Sequence, residues 1–329
     1  MSYLILGSNS FAGSSFVNYL LTKEENIIGI SRSKELHPVM QPYFNHSNKR
    51  AFKFFQLDIN QDTQLLFELI KQHKPRYIVD FVGQSGIVAE SWNNPTEWYQ
   101  TNIISKTNLH HFLKDCDFLE RYVKVSTPAV YGNTPKKVLA NAPANPSTPY
   151  AVSHAAIDMS LLAFYKQYQF PVILTRFANF YGPHQQLYRI IPRTIICGLL
   201  GKKLSLHGDG ISERMFIYAN DISTGIYQAI QRGKLGEIYH FANEPCLSMF
   251  FLVKTICELM SVRFENLVEV TAEYPEKDNK HMMDTAQSQA ELNWVPMISL
   301  EQGLSRTIAW IRKNIDTIET LPLNRTHQS

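Results

Sequence analysis

The stretch SYLILGSNSFAG, residues 2–13, decides the fold of this chain of 329 residues. Its apolar start predicts a buried strand, and Gly7 and Gly13 enclose a tight turn that leads into a helix from Phe11 to Leu21. The first glycine permits the turn, the second lets the helix pack closely on the strand, and the helix start presents free N–H groups to a pyrophosphate. Ser10 replaces the middle glycine of such loops, where its hydroxyl narrows the approach and can donate to a phosphate oxygen. The stretch therefore predicts a dinucleotide-binding turn.

The alternation of strand and helix continues through the first half of the chain. The runs NIIGI, FKFFQL and RYIVDFV are largely apolar, so we expect strands buried on both faces of a parallel sheet that helices cover. After Gly182 and Pro183 the pattern loosens into shorter elements and two amphipathic stretches. The prediction is an α/β fold, a Rossmann-type doubly wound parallel sheet with a smaller C-terminal α/β substrate-binding lobe. We place the dinucleotide-binding domain at residues 1–180, with some later segments returning to it, and the lobe mainly at residues 181–329.

The segment TPKKVLANAPANPSTP, residues 134–149, is rich in Pro and Asn. We expect an irregular loop there, directly before a long helix that runs from Tyr150 to about Tyr168. A loop of that size inside a compact domain is often a lid or a binding element.

Composition narrows the class of protein. The chain is 44% hydrophobic and 19% charged, which is enough apolar content for a sizeable core. The net charge of +3 is small and dispersed, so we expect no nucleic-acid or membrane partner. The N-terminal stretch lacks a basic start, and no run of about eighteen apolar residues follows, so we expect a cytoplasmic protein. The four cysteines are scattered without metal-ligand spacing, so we expect reduced thiols and no metal site.

The end of the second predicted strand bears on the choice of cofactor. An acidic residue there would bind the ribose of NAD, but this chain has Ser31 and Arg32. A hydroxyl and a guanidinium suit a 2′-phosphate, and no carboxylate repels it. The sequence therefore favours NADP, with NAD as the alternative.

A series of motifs along nearly the whole chain resembles one family, the extended short-chain dehydrogenase/reductase enzymes that modify nucleotide sugars. Its 4,6-dehydratases are the most similar, and sugar 4-epimerases and 4-keto reductases are near. After the glycine turn, the motifs are LDI (57–59), GQS (83–85), VSTPAVYG (125–132), PYAVSH (149–154), TRFANFYGP (175–183), IIPRTI (190–195), HGDGISERMFIYANDI (207–222) and GEIYHFAN (236–243).

The resemblance implies roles for individual residues. It implies a homodimer built on the helices after Asn93 and at Tyr150. Arginine suits a diphosphate because its fork meets two phosphate oxygens at once. The residues implied to bind the cofactor are Gly7, Ser10, Phe11, Gly13, Ser31, Arg32, Asp58, Ile59, Tyr150 and His154, and those implied to bind the nucleotide-diphosphate sugar are Ser85, Asn179, Arg189 and Arg214.

The resemblance also assigns the catalytic residues Tyr150, Thr127 and His154. Tyr150 matches the acid/base that acts on a sugar hydroxyl while hydride passes between C4 and the nicotinamide, and Thr127 shares a hydrogen bond with that hydroxyl. Residues four apart share a helix face, so a lysine at the fourth position lowers the phenol pKa. Here that position is His154, whose imidazole is mostly neutral near pH 7. We therefore expect slower chemistry with a more alkaline optimum.

The two positions after Thr127 bear on the reaction. In the dTDP-glucose dehydratases they carry Asp and Glu, which move the protons of the elimination, and here they are Pro128 and Ala129. Neither can transfer a proton. We therefore expect a 4-epimerase or a 4-keto reductase. The alternative is a 4,6-dehydratase that recruits Glu90, Asp158 or a loop residue.

A third hypothesis is a catalytically retired scaffold that binds a dinucleotide or a nucleotide sugar. Tyr150, Thr127 and the phosphate contacts are intact, which argues against it. The positions that depart from the family pattern, and so argue for it, are Ser10, Gly86, Pro128, Ala129 and His154.

Overall fold

The computed structural model describes residues 2–84, 90–271 and 280–323. Strands and helices alternate from the first residues onward, as the apolar runs predict. The strands are β1 (Ser2–Leu6), β2 (Asn26–Ser31), β3 (Phe52–Gln56), β4 (Tyr77–Asp80), β5 (Arg121–Ser126), β6 (Thr134–Val138), β7 (Val172–Phe177), β8 (Asn179–Tyr181), β9 (Leu204–His207), β10 (Glu213–Tyr218), β11 (Ile238–Phe241), β12 (Asn243–Ser248), β13 (Val268–Thr271) and β14 (Lys280–Met283).

The helices begin at capping residues that the sequence makes visible. Ser10, Thr148, Ser248 and Ser299 each accept a hydrogen bond from a backbone N–H of the first turn that follows them. The helices are α1 (Phe11–Thr22), α2 (Thr63–His73), α3 (Glu90–Asn93), α4 (Pro95–Tyr99), α5 (Lys106–Leu113), α6 (Pro149–Tyr168), α7 (Ile190–Leu200), α8 (Ala219–Arg232), α9 (Met249–Met260), α10 (Phe264–Leu267), α11 (Ala286–Leu292), α12 (Leu300–Lys313) and α13 (Ile315–Glu319).

Among the described residues, seven strands form one parallel sheet in the order β11-β7-β5-β4-β1-β2-β3. This arrangement confirms the predicted Rossmann-type fold. The strand order reverses between β1 and β4, which leaves a crevice at the carboxyl ends of these two strands. The glycine turn after β1 lies at this crevice.

Apolar side chains cover both faces of the sheet. On one face Phe16 and Leu20 of α1 pack with Ile226 of α8, and on the other Leu69 of α2 packs with Leu161 of α6. Each such side chain contributes about 1.5–3 kcal/mol when it is fully buried. The sheet therefore lies between two layers of helices, and the crevice opens at the carboxyl ends of its strands.

A second sheet forms the smaller lobe, in the order β12-β10-β14-β6, with β8 paired to β10. The expectation of an irregular loop over residues 134–149 is wrong for its first part, because β6 is a strand. Its partner is β14, where His281 is in register with Thr134. A pairing across such a distance in sequence leaves no local pattern, so the Pro and Asn content dominated the prediction.

The described part of the chain contains neither a membrane-spanning helix nor a cluster of metal ligands. None of the helices within residues 2–84, 90–271 and 280–323 is long and apolar enough to cross a membrane. In the same ranges, no three His, Cys, Asp or Glu side chains are grouped to hold a metal ion.

Candidate active site

The glycine turn between β1 and α1 requires both of its glycines. Gly7 has a φ of +79°, a left-handed conformation, and a Cβ on it would lie 3.0 Å from the backbone of Phe81. A Cβ on Gly13 would lie 2.3 Å from the carbonyl oxygen of Gly7. A side chain at Gly7 would therefore clash with the loop after β4, and one at Gly13 would clash with the turn itself.

Ser10 completes the turn rather than obstructing it. Its Oγ accepts a hydrogen bond from the Gly13 N–H at 3.0 Å, so Ser10 is the N-cap of α1. The remaining N–H groups of the first turn, those of Phe11 and Ala12, have no carbonyl partner within the helix. They face the crevice with the positive end of the helix dipole. The turn thus fits the pyrophosphate of a dinucleotide.

The residues after β2 are held in place by Asn9. The Asn9 N–H donates to Ser31 Oγ at 2.9 Å, and its side-chain amide donates to the carbonyl oxygens of Ser33 and Lys34 at 2.9 and 2.8 Å. Arg32 is exposed, and its guanidinium lies 3.5 Å from Gln84 Oε1. The structure therefore brings Arg32 to the rim of the crevice.

Asp58 and Ile59 lie in the turn that follows β3. Asp58 Oδ1 accepts from the Asn60 N–H at 2.8 Å, and the Asp58 N–H donates to Asp62 at 2.8 Å. Ile59 is buried beneath this turn. The Asp58 carboxylate therefore shapes the turn, and Ile59 anchors it to the core.

Tyr150 and Thr127 come together from two elements. Thr148 caps α6 through a hydrogen bond from the Ala151 N–H at 3.2 Å, and Pro149 starts the helix, so Tyr150 falls in its first turn. Burial raises the pKa of the Tyr150 hydroxyl, while a hydrogen bond with Thr127 and the charge of Arg189 lower this pKa. Tyr150 is therefore protonated at neutral pH.

His154 lies one turn after Tyr150 on the same face of α6. The two ring centroids are 4.7 Å apart, which confirms the face-sharing that the spacing predicts. His154 is buried, and its Nδ1 has no hydrogen-bond partner among the described residues. Burial holds the pKa of His154 well below its usual value, and the charges of Lys124, Lys106 and Arg176 lower it further. His154 is therefore a neutral side chain whose Nδ1 has no hydrogen-bond partner among the described residues. Such a side chain suits a hydrogen bond with a ribose hydroxyl.

The predicted substrate residues lie on the lobe side of the crevice. Asn179 begins β8 and is exposed, while Arg214 lies on β10, the strand that pairs with β8. Arg189 precedes α7 and is exposed, and its charge acts on Tyr150. Ser85, the fourth predicted substrate residue, lies outside the described residues.

The two positions after Thr127 form a capped turn. Thr127 Oγ1 accepts from the Ala129 N–H at 3.2 Å, and the turn runs from Pro128 to Tyr131. The nearby Asp158 is buried and bound to Arg176 at 2.9 Å, and it accepts from Ser126 at 2.7 Å. Neither the turn nor Asp158 therefore offers a carboxyl group that can transfer a proton to a substrate.

The structure also shows a buried charged cluster behind the crevice that the sequence reasoning missed. Asp80 on β4 and Lys124 on β5 are register partners, and Lys106 at the start of α5 contacts Asp80 at 2.7 Å. The sequence does contain a signal for this cluster, because a charged residue inside an apolar strand requires a partner when it is buried. The partner of Asp80 comes from a helix, which the sequence cannot show.

The fold and the site define a class of protein, the enzymes with a Rossmann-type sheet, a glycine turn after β1 and a tyrosine at the start of the long helix that precedes β7. The chain belongs to the NAD dependent epimerase/dehydratase family, whose model matches residues 3–242.

Individual relatives extend this match to nearly the whole chain. The dTDP-D-glucose 4,6-dehydratase of Homo sapiens is 28% identical over 94% of this chain and 90% of its own. The crystal structure of dTDP-glucose 4,6-dehydratase from Bacillus anthracis, in complex with NAD, is 30% identical with a TM-score of 0.85, covering 96% of this chain and 98% of that one. A double mutant of the Streptomyces venezuelae dTDP-glucose 4,6-dehydratase with NAD bound is 28% identical with a TM-score of 0.89, covering 98% and 100%.

Proposed function

We propose that the protein transfers hydride at C4 of a nucleotide-linked sugar, as a 4-keto reductase or a 4-epimerase, without elimination. The observation that carries the proposal is the pairing of Tyr150 and Thr127 beside Pro128 and Ala129, neither of which can transfer a proton. The relatives support the substrate class, because their names describe enzymes acting on dTDP-glucose. Oxidation or reduction at C4 is the part of such chemistry that these side chains can perform.

Tyr150 moves the proton in this mechanism. A bound nicotinamide dinucleotide supplies or accepts the hydride. The Tyr150 hydroxyl donates its proton to the C4 oxygen during reduction and takes it back during oxidation, while Thr127 holds the same oxygen. Because burial raises the Tyr150 pKa, the residue is ready to donate at neutral pH. The form of Tyr150 present at neutral pH is therefore the form that reduction of a 4-keto sugar uses.

The phosphates of the substrate are assigned to Arg189 and Arg214, and Asn179 adds a hydrogen bond from the lobe side. The two guanidinium groups are proposed to bind the two phosphates of a nucleoside diphosphate. Ser85 is proposed to contact the sugar. Bound substrate would bring its diphosphate close to Arg189, so substrate binding and the ionisation of Tyr150 are coupled.

A 4,6-dehydratase is the second candidate, and the similarity to dTDP-glucose 4,6-dehydratases over 94% of the chain favours it. Elimination needs one group to remove the C5 proton and another to protonate the leaving hydroxyl. Pro128 and Ala129 supply neither, and Asp158 is held by Arg176. The first proposal therefore accounts better for the geometry.

One experiment tests the reaction. Purified protein is incubated with dTDP-glucose and NAD+ or NADP+, and separately with a dTDP-linked 4-keto-6-deoxy sugar and NADH or NADPH, and the products are identified by ¹H NMR. Reduction or inversion at C4 is the expected result. A 4-keto-6-deoxy product from dTDP-glucose would show a dehydratase, and binding of both ligands without turnover would show a retired scaffold.

The cofactor is proposed to be NADP, because Ser31 and Arg32 stand at the end of β2. The Bacillus anthracis relative contains NAD, which keeps NAD as the alternative. Fluorescence titration with NADPH and NADH is expected to show tighter binding of NADPH. Arg32→Ala should weaken NADPH alone, whereas Arg50→Ala, which removes an exposed arginine before β3, should change neither dissociation constant.

The protein is further proposed to form a homodimer through α6 and the helices before α5. Several large apolar side chains of these helices are exposed, and they are Trp92, Ile104, Val152 and Met159. Apolar groups exposed together on packed helices are typical of an interface.

A further inference from the structure

Three charged side chains are fully enclosed behind the crevice. Asp80, Lys106 and Lys124 are each no more than 1% exposed. Lys106 contacts the Asp80 carboxylate, the charge of Lys124 also acts on it, and the hydroxyl of Tyr122 donates to it at 2.9 Å. Buried charges are costly unless they are paired, so a cluster with one cation in excess calls for a physical explanation.

Lys106 and Asp80 together hold both backbone polar groups of one residue, Val82, in the loop after β4. The Lys106 Nζ donates to Asp80 Oδ2 at 2.7 Å and also to the carbonyl oxygen of Val82. The Val82 N–H donates to Asp80 Oδ1 at 2.9 Å. Both polar groups of Val82 are therefore fixed by one ion pair.

The backbone that Asp80 and Lys106 hold at Val82 forms a wall of the crevice. A Cβ on Gly7 would lie 3.0 Å from the nitrogen of Val82, and a Cβ on Gly83 would lie 3.8 Å from the His154 ring. The Gln84 N–H then donates to Asn102 at 2.9 Å. The backbone from Val82 to Gln84 thus runs between the phosphate turn and the catalytic helix.

Charged and titratable side chains from four elements, β4, β5, α5 and α6, surround Lys106. Asp80 faces it from β4, Lys124 and Tyr122 from β5, His110 from its own helix and His154 from α6. Burial and Lys124 lower the pKa of Lys106 to about 7, although Asp80 raises it. The carboxyl of Asp80 has a lowered pKa, His110 and His154 have lowered pKa values, and Tyr122 has a raised one. None of these four shifts brings a group into the range of pH 6 to 8.5.

We propose that Lys106 is a positioning residue for the dinucleotide site: it fixes the peptide of Val82 against the glycine turn and His154, and its positive charge favours the anionic ligand. The inference rests on the proposed function, because it takes the crevice to be the dinucleotide site. At the position four after Tyr150, α6 has His154 and no lysine, and the charge of Lys106 acts on that side chain from behind the loop after β4.

Lys106→Met is the informative variant, because the positive charge of Lys124, the register partner of Asp80, still acts on Asp80 when Lys106 is lost. Removing the excess cation should leave the protein folded, whereas Asp80→Asn would leave two buried lysines without a carboxylate. Lys71→Met is the matched control, since Lys71 is an exposed lysine on α2, away from the crevice. Thermal unfolding of both variants verifies that they fold.

Three readouts test the role without turnover. In Lys106→Met, hydrogen exchange measured by mass spectrometry should be faster for the peptide covering residues 81–84. The dissociation constant of NADPH or NADH, from fluorescence titration, should rise about tenfold, while binding of dTDP is unchanged. In the parent protein dinucleotide affinity should fall about fivefold as pH rises through 7, because a cation at the site is lost. The variant should not show this step.

Other experimental results would contradict the proposed role of Lys106. Dinucleotide affinity in Lys106→Met within twofold of the parent, or the same pH step in the variant, would refute the role of Lys106 while leaving the proposed function intact. A parent whose affinity is flat between pH 6 and 8.5 would refute the charge effect without need of a variant. If the parent protein binds no dinucleotide, the proposed function is wrong. Unchanged hydrogen exchange at residues 81–84 in Lys106→Met would then also show that Lys106 does not hold the backbone at Val82.

Discussion

Tyr150 carries the proton of the proposed reaction, and its removal gives the most direct test at the level of one residue. Tyr150→Phe keeps the ring and its packing on His154 but loses the hydroxyl. General acid–base catalysis contributes about 10²- to 10⁴-fold, so kcat should fall by about that factor. The dissociation constant of the dinucleotide should stay within about twofold, and steady-state kinetics with fluorescence titration measure both.

Tyr168→Phe is the control for this variant, because Tyr168 lies exposed at the far end of the same helix. It should leave kcat unchanged. Turnover by Tyr150→Phe at the parent's rate would show that another group transfers the proton.

The raised pKa of Tyr150 predicts opposite pH dependences for the two directions of the reaction. Reduction uses the protonated hydroxyl, which is present below the pKa, so its kcat should stay flat between pH 6 and 9. Oxidation uses the ionised form, so its rate should rise with pH through the same range. Initial rates in both directions measure this, and an oxidation rate that levels off below pH 8 would contradict a raised pKa.

The sequence predicted the neighbours of Tyr150 only in part. The spacing of four residues placed His154 beside it, because helical periodicity is local. The charges that act on these two residues come from Arg189 and from lysines on β5 and α5. No pattern along the chain relates these positions, so their effect on the two pKa values required the structure.

At the level of elements, the start of α1 joins stability to ligand binding through Ser10. Ser10→Ala removes the N-cap and should lower the free energy of unfolding by about 1 kcal/mol. It should also weaken dinucleotide binding several-fold, because the turn loses its shape. Chemical denaturation and fluorescence titration measure the two effects.

Ser248→Ala separates these effects, since Ser248 caps α9 in the same manner, away from the glycine turn. A similar loss of stability is expected, with dinucleotide affinity unchanged. Equal weakening of binding in both variants would show that Ser10 acts through stability alone.

Elements with strong local signals were predicted well. The helix expected from Phe11 to Leu21 ends one residue later, and the long helix begins one residue earlier, at Pro149. β6 was missed, because its pairing with β14 is set by tertiary contacts. Local capping and periodicity therefore predict helices here better than long-range pairing predicts strands.

At the level of the whole molecule, the proposed dimer predicts a specific weak point. Met159 is 65% exposed on α6, so Met159→Glu would place a charge in the interface. Burial of such a side chain contributes about 1.5–3 kcal/mol, so the dimer dissociation constant should rise at least about tenfold. Size-exclusion chromatography with light scattering measures the oligomeric state over a range of concentrations.

Leu65→Glu is the matched control, because Leu65 is 52% exposed on α2. It should leave the oligomeric state unchanged. A parent protein that is monomeric at every concentration would refute the proposed dimer.

The path of the chain returns to the first sheet after it has built part of the lobe. β11 pairs with β7 at the edge of that sheet, and α8 packs beside α1. A division at residue 180 stays a prediction, but a chain cut there would lack both elements. The edge of β7 and one apolar face of the sheet would then be exposed to water and to other chains. Parts of the lobe are therefore insertions within the sheet's own sequence, between β5 and β7 and between β7 and β11, and the rest follows β11, so neither half of the gene could be exchanged as an independent cassette.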